Sequence, residues 1–429
     1  MLPAYPKVVI LGAGFGGLAA AKRLANRNVE VTLVDRRNYH LFQPLLYQVA
    51  TAGLSPAQIA APIRAILRRA TNVQVLLGRV TGVDTQARTV VLEDRRLSYD
   101  TLVIATGARH AYFGHDEWES AAPGLKTMTD AVQIRERMLL AFEEAERRRS
   151  STGVPAQLTF VIVGGGPTGV ELAGSLAELG RKAMGPDFPH LRLDDLSVIL
   201  VEAGPRVLPG FDAELSAKAA AALTRMGVMI KFKSPVSAVH ADGVRIGEEW
   251  IPSTNVIWAA GNRASPLLNT LSSPQDSFGR IKVRPDLTIP DDPWIFVIGD
   301  AAHCVGHDER PLLAVAPVAM QQARYVADLI GRDVAPDQRP RFVYADRGML
   351  ATIGRAQAIA QFGSIHTSGL FAWLLWCVVH IFFLIGFRNR FRVMSEWIWY
   401  YLTFKPGARL IFERPAPARN IPSTDHARE

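Results

Sequence analysis

Two cysteines are all that the 429 residues contain, Cys304 and Cys377, and they stand far apart. No CxxC or CxxxxC pairing exists, which excludes a disulfide framework and a cysteine-built structural zinc site; each is read as a buried free thiol. A secretory or transit segment is also missing: MLPAYPK leads at once into the strand-like VVILGAG. The chain is therefore expected to fold where it is made, in a bacterial cytoplasm. The net charge is +8 and the pI about 9.6, yet the arginines form no basic stripe. That disfavours nucleic acid as a partner and leaves anionic lipid or an anionic small substrate. Charge itself is absent from one long run, GLFAWLLWCVVHIFFLIGF (Gly369 to Phe387), nineteen residues whose sole titratable nitrogen is on His380. A membrane-crossing helix needs about 20 such residues.

What is present is enough for a large fold. At 429 residues, with 48% hydrophobic and 21% charged residues, the chain is globular and too long for one core, so two or three units are expected. Its mean hydropathy of +0.10 is slightly high for a purely soluble protein. Two segments look alike: KVVILGAGFGGLAAAKRLANRNVEVTLVD (Lys7 to Asp35), and LTFVIVGGGPTGVELAGSLAELG (Leu158 to Gly180) followed by LSVILVE (Leu196 to Glu202). Each is a buried-strand run, a glycine-rich turn, an Ala/Leu-rich helix and a second strand ending in an acid, the pattern of a parallel sheet.

Each segment carries a full G-x-G-x-x-G, at Gly12, Gly14 and Gly17, and at Gly164, Gly166 and Gly169. The glycines permit a tight turn, backbone approach to a pyrophosphate and close helix–strand packing, and the phosphates sit at the helix N-terminus. Asp35 and Glu202 are placed to accept from a ribose 2′-OH. Asp35 follows Gly17 by 18 positions, but Glu202 follows Gly169 by 33, so Arg181 to Asp195 is read as a loop inserted between helix and strand. A carboxylate at Glu202 repels a 2′-phosphate and so favours NAD over NADP, a preference that Arg206 nearby tempers. Three further strand-like runs end in or beside glycine: Thr101 to Gly107, Asn255 to Gly261 and Trp294 to Asp300. Their order around the two motifs implies one nucleotide domain interrupted by another, with a solvated helix from Asp130 to Arg149 leading into the insert.

On these motifs the chain resembles the two-dinucleotide-binding-domain flavoproteins. Within them it resembles the type II NADH dehydrogenases, non-pumping NADH:quinone oxidoreductases. The specific stretches are YHLFQPLLYQVATAGLSPAQIAAPIR (Tyr39 to Arg64), GGGPTGVELAG (Gly164 to Gly174), IGDAA (Ile298 to Ala302) and APVAMQQARYVA (Ala316 to Ala327). The resemblance implies an α/β fold of two Rossmann-like domains: an FAD domain over residues 1–125 and 268–345, an NADH domain over 126–267, and a membrane-associating helical region over 346–429. It implies FAD along Gly12, Ala13, Gly14, Phe15 and Gly16, with Asp35 on the adenosine ribose and Asp300 on the ribityl or phosphate region. Arg36, Val80, Thr106, Gly107, Pro317 and Val318 complete that wall. NADH would lie on Gly164, Gly165, Gly166, Thr168, Gly169, Glu202 and Gly261. Glu171, Gln321 and Gln322 are the implied catalytic residues, Glu171 beside flavin and nicotinamide. Pro317 replaces the first Gln of the family's A-Q-x-A-x-Q-Q pattern; proline at a helix start is otherwise tolerated. His40 and Gln43 join Glu171 and Gln321 as polar groups for a proton route.

Related activities fall away on cysteine. Disulfide reductases and sulfide:quinone oxidoreductases of this architecture need cysteines at the flavin, and YHLFQPLLYQVATAGL has none. NADH then remains as donor, with a quinone, a small ferredoxin-like protein or oxygen as acceptor; a non-catalytic flavin/NAD sensor is the other class. The tail favours a membrane quinone. Four of the eight Trp residues lie between Trp373 and Trp399, a composition that suits a membrane interface. From Arg392 to Thr403, Met394, Trp397, Ile398 and Tyr401 form one apolar side of an expected interfacial helix. The same aromatics would serve a homodimer. Arg388, Arg390 and Arg392 follow the apolar run, whereas SIHTSG before it has no Lys or Arg. A crossing from the cytoplasm would export those arginines against the positive-inside tendency. The run is therefore expected to lie on the cytoplasmic face of the cell membrane, peripheral (monotopic), as the wall through which quinone reaches the flavin.

Overall fold

The computed structural model describes residues 5–152, 158–184, 187–192, 195–307, 309–403 and 407–411. Runs of Val, Ile and Leu bounded by glycine form its buried strands. The first sheet begins with β1 (Lys7–Leu11), whose last four residues are buried. Helix α1 (Phe15–Leu24) follows, laying Gly16, Gly17, Ala20 and Ala21 against the core, then β2 (Glu30–Asp35). A short α2 (Leu46–Ala50) precedes β3 (Val73–Leu77) and β4 (Thr101–Ile104).

The chain then leaves this sheet. Helix α3 (Met128–Thr152) leads to β5 (Leu158–Val163), α4 (Pro167–Glu178), β6 (Leu196–Val201), β7 (Val228–Lys231) and β8 (Asn255–Trp258). These four strands are parallel in the order β7-β6-β5-β8. The chain returns with β9 (Thr288–Ile289) and β10 (Asp292–Val297), completing a six-stranded sheet β9-β10-β4-β1-β2-β3 in which only β9 is antiparallel. The second sheet is thus an insertion into the first.

Two sequence expectations are corrected. The helix from Asp130 to Arg149 is not simply solvated: Ala131, Ile134, Met138, Leu139, Phe142 and Ala145 are buried in the main core, and even Arg135 is buried, while Glu143, Arg147 and Arg148 are exposed. The excess before Glu202 is not all loop either. Helix α4 runs on as π-helical turns over Leu179–Met184, and part of the remainder lies outside the described residues.

After α5 (Ala316–Gly331), which packs on α1, an antiparallel meander of β11 (Met349–Gly354), β12 (Gln357–Phe362) and β13 (Ile365–Gly369) covers α4. Helix α6 (Leu370–Phe383) and helix α7 (Phe387–Thr403) end the described chain apart from a short stretch, with Gly386 in the break at φ +89°. Fourteen residues of α6 span about 21 Å, short of a bilayer core of about 30 Å. Among the described residues no helix is long and apolar enough to cross a membrane. Helix α6 buries Ala372 and Trp376 and exposes Leu370, Leu374, Val378 and Phe382 at four-residue spacing. Helix α7 also divides its apolar residues: Val393 and Trp397 are buried while Phe391, Met394 and Ile398 are exposed. The single apolar side expected from Met394 to Tyr401 is therefore two sides, because Trp397 packs inward on Trp376 with ring centroids 5.3 Å apart.

The meander meets α4 at Gly174, where an added Cβ would lie 1.5 Å from the Ile353 carbonyl oxygen. Glu178 Oε1 also accepts from the Arg355 amide at 2.7 Å. Gly174→Ala is expected to destabilise the fold by about 1–3 kcal/mol relative to wild type, as overpacking of a tight contact does, measured by denaturant unfolding.

Candidate active site

The two glycine-rich turns are built alike, atom for atom. Gly12 N–H donates to the Val34 carbonyl and Gly164 N–H to the Val201 carbonyl, both at 2.8 Å. Both residues have positive φ, +95° and +110°, which glycine alone adopts without strain. A Cβ at Gly17 or Gly169 would lie 1.8 Å from the carbonyl oxygen of Gly12 or Gly164, so helix and strand approach only because both are glycine. The strand-end acids close the turns. Asp35 accepts from Ala13 and Arg37 N–H at 2.6 and 2.7 Å; Glu202 accepts from Gly165 and Gly204 N–H, both at 2.6 Å. Each carboxylate oxygen has more than one lone pair, so acceptor capacity remains beyond these bonds.

In front of Gly14 a cleft of about 2220 Å³ opens, lined by Gly12, Ala13, Gly14, Phe15, Gly16, Asp35, Arg36, Val80, Thr106, Gly107, Asp300, Pro317 and Val318. A second cavity, about 680 Å³, lies before Gly166 and is lined by Gly164, Gly166, Thr168, Glu202 and Gly261. Gly165 and Gly169 stand behind that wall, the first bonded to Glu202, the second packed on Gly164. Pro167, Thr168, His110, Lys126 and Asn262 line both spaces, so the two meet at the N-terminus of α4. The open space before Gly14 and Gly166, where a Cβ would meet nothing within 4 Å, suits two extended dinucleotides. So does Thr106 Oγ1, which lines the large cleft and is enclosed without a protein partner.

One implied catalytic residue is displaced from the cleft. Gln322 is 1% exposed and its Oε1 accepts from Gly299 N–H at 2.7 Å, so it braces the turn that carries Asp300. Gln321 does line the cleft, but its amide is committed at both ends to Ala345, donating to the carbonyl at 2.9 Å and accepting from N–H at 3.0 Å. Glu171, His40 and Gln43 face the large cleft. His40 is buried, with Nδ1 2.9 Å from the Ala13 carbonyl, and burial lowers its pKa.

Glu171 lies one turn into α4. Burial pushes its carboxyl well above the usual carboxylate range, and the Thr352 backbone only partly offsets this. Three features were not legible in the sequence. Lys126 lies at the junction of the two spaces, its ammonium desolvated but favoured by Asp300. Tyr47, buried and influenced by the Glu171 charge, accepts from Gln48 at 2.9 Å, and Gln48 in turn accepts from Trp397 Nε1 at 2.8 Å. His380 of α6 lines the cleft. A lone Lys or Gln carries no periodic signal; only the packed chain brings these groups together.

Comparison with known proteins bears on this geometry. A profile described as "Pyridine nucleotide-disulphide oxidoreductase" matches residues 6–323, and one described as "NDH2 C-terminal domain" matches residues 347–404. Type II NADH:quinone oxidoreductase Ndh of Mycobacterium tuberculosis is 41% identical over an alignment covering 97% of this chain and 92% of its own. The chain belongs to the type II NADH:quinone oxidoreductase family. A second member of the family from the same organism, NdhA, is 42% identical, with 91% of this chain and 86% of its own covered. The solved structure of NDH2 from Plasmodium falciparum in complex with NADH superposes with a TM-score of 0.85 at 21% identity, covering 95% of this chain and 100% of that one.

The raised pKa of Glu171 has a consequence for stability. Below the unfolded-state pKa, about 4.3, both states are protonated and the group is neutral in effect. Above it the unfolded chain releases a proton that the folded state retains, so stability drains as pH rises toward the folded pKa. Glu171→Gln removes that penalty. Its thermal midpoint relative to wild type is expected to be unchanged near pH 4 and increasingly higher toward pH 8, read by thermal melts across that range.

Proposed function

We propose that this protein oxidises NADH through FAD and passes the electrons to a membrane quinone without pumping ions. The observation that carries this reading is the meeting of two dinucleotide-type turns, at the ends of two parallel sheets, beside the Glu171 carboxyl and an apolar mouth. Bound FAD would accept a hydride equivalent from NADH and return two electrons to the quinone. The protein's own contribution is binding, orientation and one acid.

In this reading residues 1–125 and 268–345 hold FAD and residues 126–267 hold NADH. The amides of the Gly12–Gly16 turn and the start of α1 face the FAD pyrophosphate, Asp35 the adenosine ribose, and Thr106 Oγ1 an acceptor on the flavin side. The Gly164–Gly169 turn and Glu202 do the same for NADH, whose nicotinamide end reaches the shared junction at Thr168. Quinone reduction consumes two protons. Glu171, on the cleft wall with its carboxyl pushed by burial above the usual carboxylate range, is the group placed to donate one of them. Gln322 is not assigned a catalytic role, and Gln321 acts by fixing the 345 segment rather than by touching substrate.

Helix α6 exposes Leu370, Leu374, Val378 and Phe382, and α7 exposes Phe391, Met394 and Ile398, with Phe382 also at the cleft wall. Soluble monomers rarely expose apolar patches of this kind. Arg388 and Arg392 of α7 are exposed as well. This supports docking on a lipid surface on the cytoplasmic side, where NADH is found, and delivery of quinone directly from the bilayer through the mouth lined by Phe382 and Phe383.

Two outcomes are expected. Purified protein is yellow, is bleached by NADH, and recovers its colour rapidly with a quinone; bleaching without recovery by any quinone would identify a sensor instead. The triple substitution Phe371→Asp, Phe391→Asp, Ile398→Asp is expected to weaken binding to phospholipid vesicles by on the order of 100-fold. It should cut turnover with a long-chain quinone while sparing a soluble short-chain one. A change in oligomeric state with unaltered vesicle binding would assign the same surface to a second copy of the chain.

A further inference from the structure

Helix α6 brings the one imidazole of its apolar run to the wall of the large cleft. The His380 ring stacks on Trp376 with centroids 4.1 Å apart, and meets Phe42 edge-on at 6.2 Å. Phe42 in turn packs edge-on against Phe15 of the first glycine-rich turn, at 5.9 Å. The ring is therefore held in position by aromatic contacts from both the nucleotide domain and its own helix.

Its protonation is set by a single bond. Nδ1 lies 2.7 Å from the Trp376 carbonyl oxygen. A carbonyl only accepts, so Nδ1 carries the hydrogen and Nε2 presents a lone pair. Nε2 has no hydrogen-bond partner among the described residues, yet it is not an enclosed atom, and His380 lines the cleft with Val379, Phe382 and Phe383. Burial lowers the ring's pKa to about 4, which keeps it neutral at neutral pH. Elsewhere on the cleft wall, Pro317 brings no side-chain donor and the Gln321 amide is already used.

We propose that His380 is a hydroxyl acceptor in the quinone subsite and discriminates the reduced substrate from the oxidised one. This rests on the quinone reading above. A quinone offers two carbonyl oxygens, which have lone pairs and no proton; facing Nε2 they gain nothing. The quinol offers two O–H donors, one of which can bond to Nε2. The site consequently holds its product more tightly than its substrate, which favours electron transfer to the bound quinone and makes the quinol a product inhibitor. His380 gives no proton in this scheme; it accepts a hydrogen bond.

The test uses full-length, FAD-loaded protein in detergent with a short-chain quinone and its quinol. His380→Phe keeps the ring stack and removes the acceptor, and His380→Gln restores an accepting oxygen. The rate of bleaching by NADH on each variant normalises for folding. His380→Phe is expected to raise the quinol inhibition constant, and its dissociation constant from tryptophan-fluorescence quenching, by roughly three- to tenfold. The KM for quinone should shift less than twofold, and His380→Gln should recover most of the quinol affinity. Should His380→Phe fold poorly, His380→Leu is read by the same two ratios. Equal changes in quinol and quinone affinity would reduce His380 to a packing residue, and an unchanged quinol constant would overturn the proposal while leaving the quinone reading intact. Wild-type protein that no quinone reoxidises would overturn both.

Discussion

One helix, α4, carries the constraint on which the rest depends. Its N-terminus, at Pro167 and Thr168, is the wall common to the two cavities. Glu171, one turn in, faces the large cleft, and Gly174, in the next turn, sits against the Ile353 carbonyl so closely that no side chain fits. Ser175 bonds Thr51 at 2.7 Å, tying α4 to the segment that holds Tyr47 and Gln48. A close helix–sheet contact is effectively rigid, because packed interiors do not deform continuously. Fixing α4 on the meander therefore fixes the acid, the junction of the nucleotide spaces and the base of the C-terminal helices together.

The electrostatics follow from that placement. At Glu171, one turn into α4, burial pushes the carboxyl well above the usual carboxylate range. Burial likewise holds His40 and His380 neutral, and each ring has its Nδ1 beside a backbone carbonyl. The cleft thus holds an acid whose pKa burial raises and imidazoles whose pKa values burial lowers, among charged groups that include Asp35, Lys126 and Asp300.

Much of this was legible without coordinates where local rules govern. Paired G-x-G-x-x-G turns between a strand and a helix leave little choice: positive φ at the first glycine and a missing Cβ at the third are demands of the backbone itself, and both turns meet them identically. The strands ending at Ile104, Trp258 and Val297 were visible as apolar runs. Adjacent glutamines on a helix point about 100° apart, and here Gln321 takes the cleft side while Gln322 turns inward. Which one does so depends on where α5 lies on the first sheet. The solvated reading of α3 failed, since its charged residues masked a buried stripe whose partner lies elsewhere in the chain.

The sequence by itself therefore determined the two nucleotide-type turns, the insertion of one sheet within another and the presence of a long apolar segment, because each is written in neighbouring residues. Tertiary structure alone decided what that segment does. It forms one helix, α6, that ends before the break at Gly386; α6 and the following α7 bury Trp376, Val393 and Trp397 while other apolar residues of both stay exposed. It also decided that Trp397 reaches Gln48 across 349 positions, and that His380 comes within ring contact of Phe42. Such contacts arise from the packing of whole elements, and hydropathy is blind to them: an apolar run reads the same whether it faces lipid, a core or a substrate.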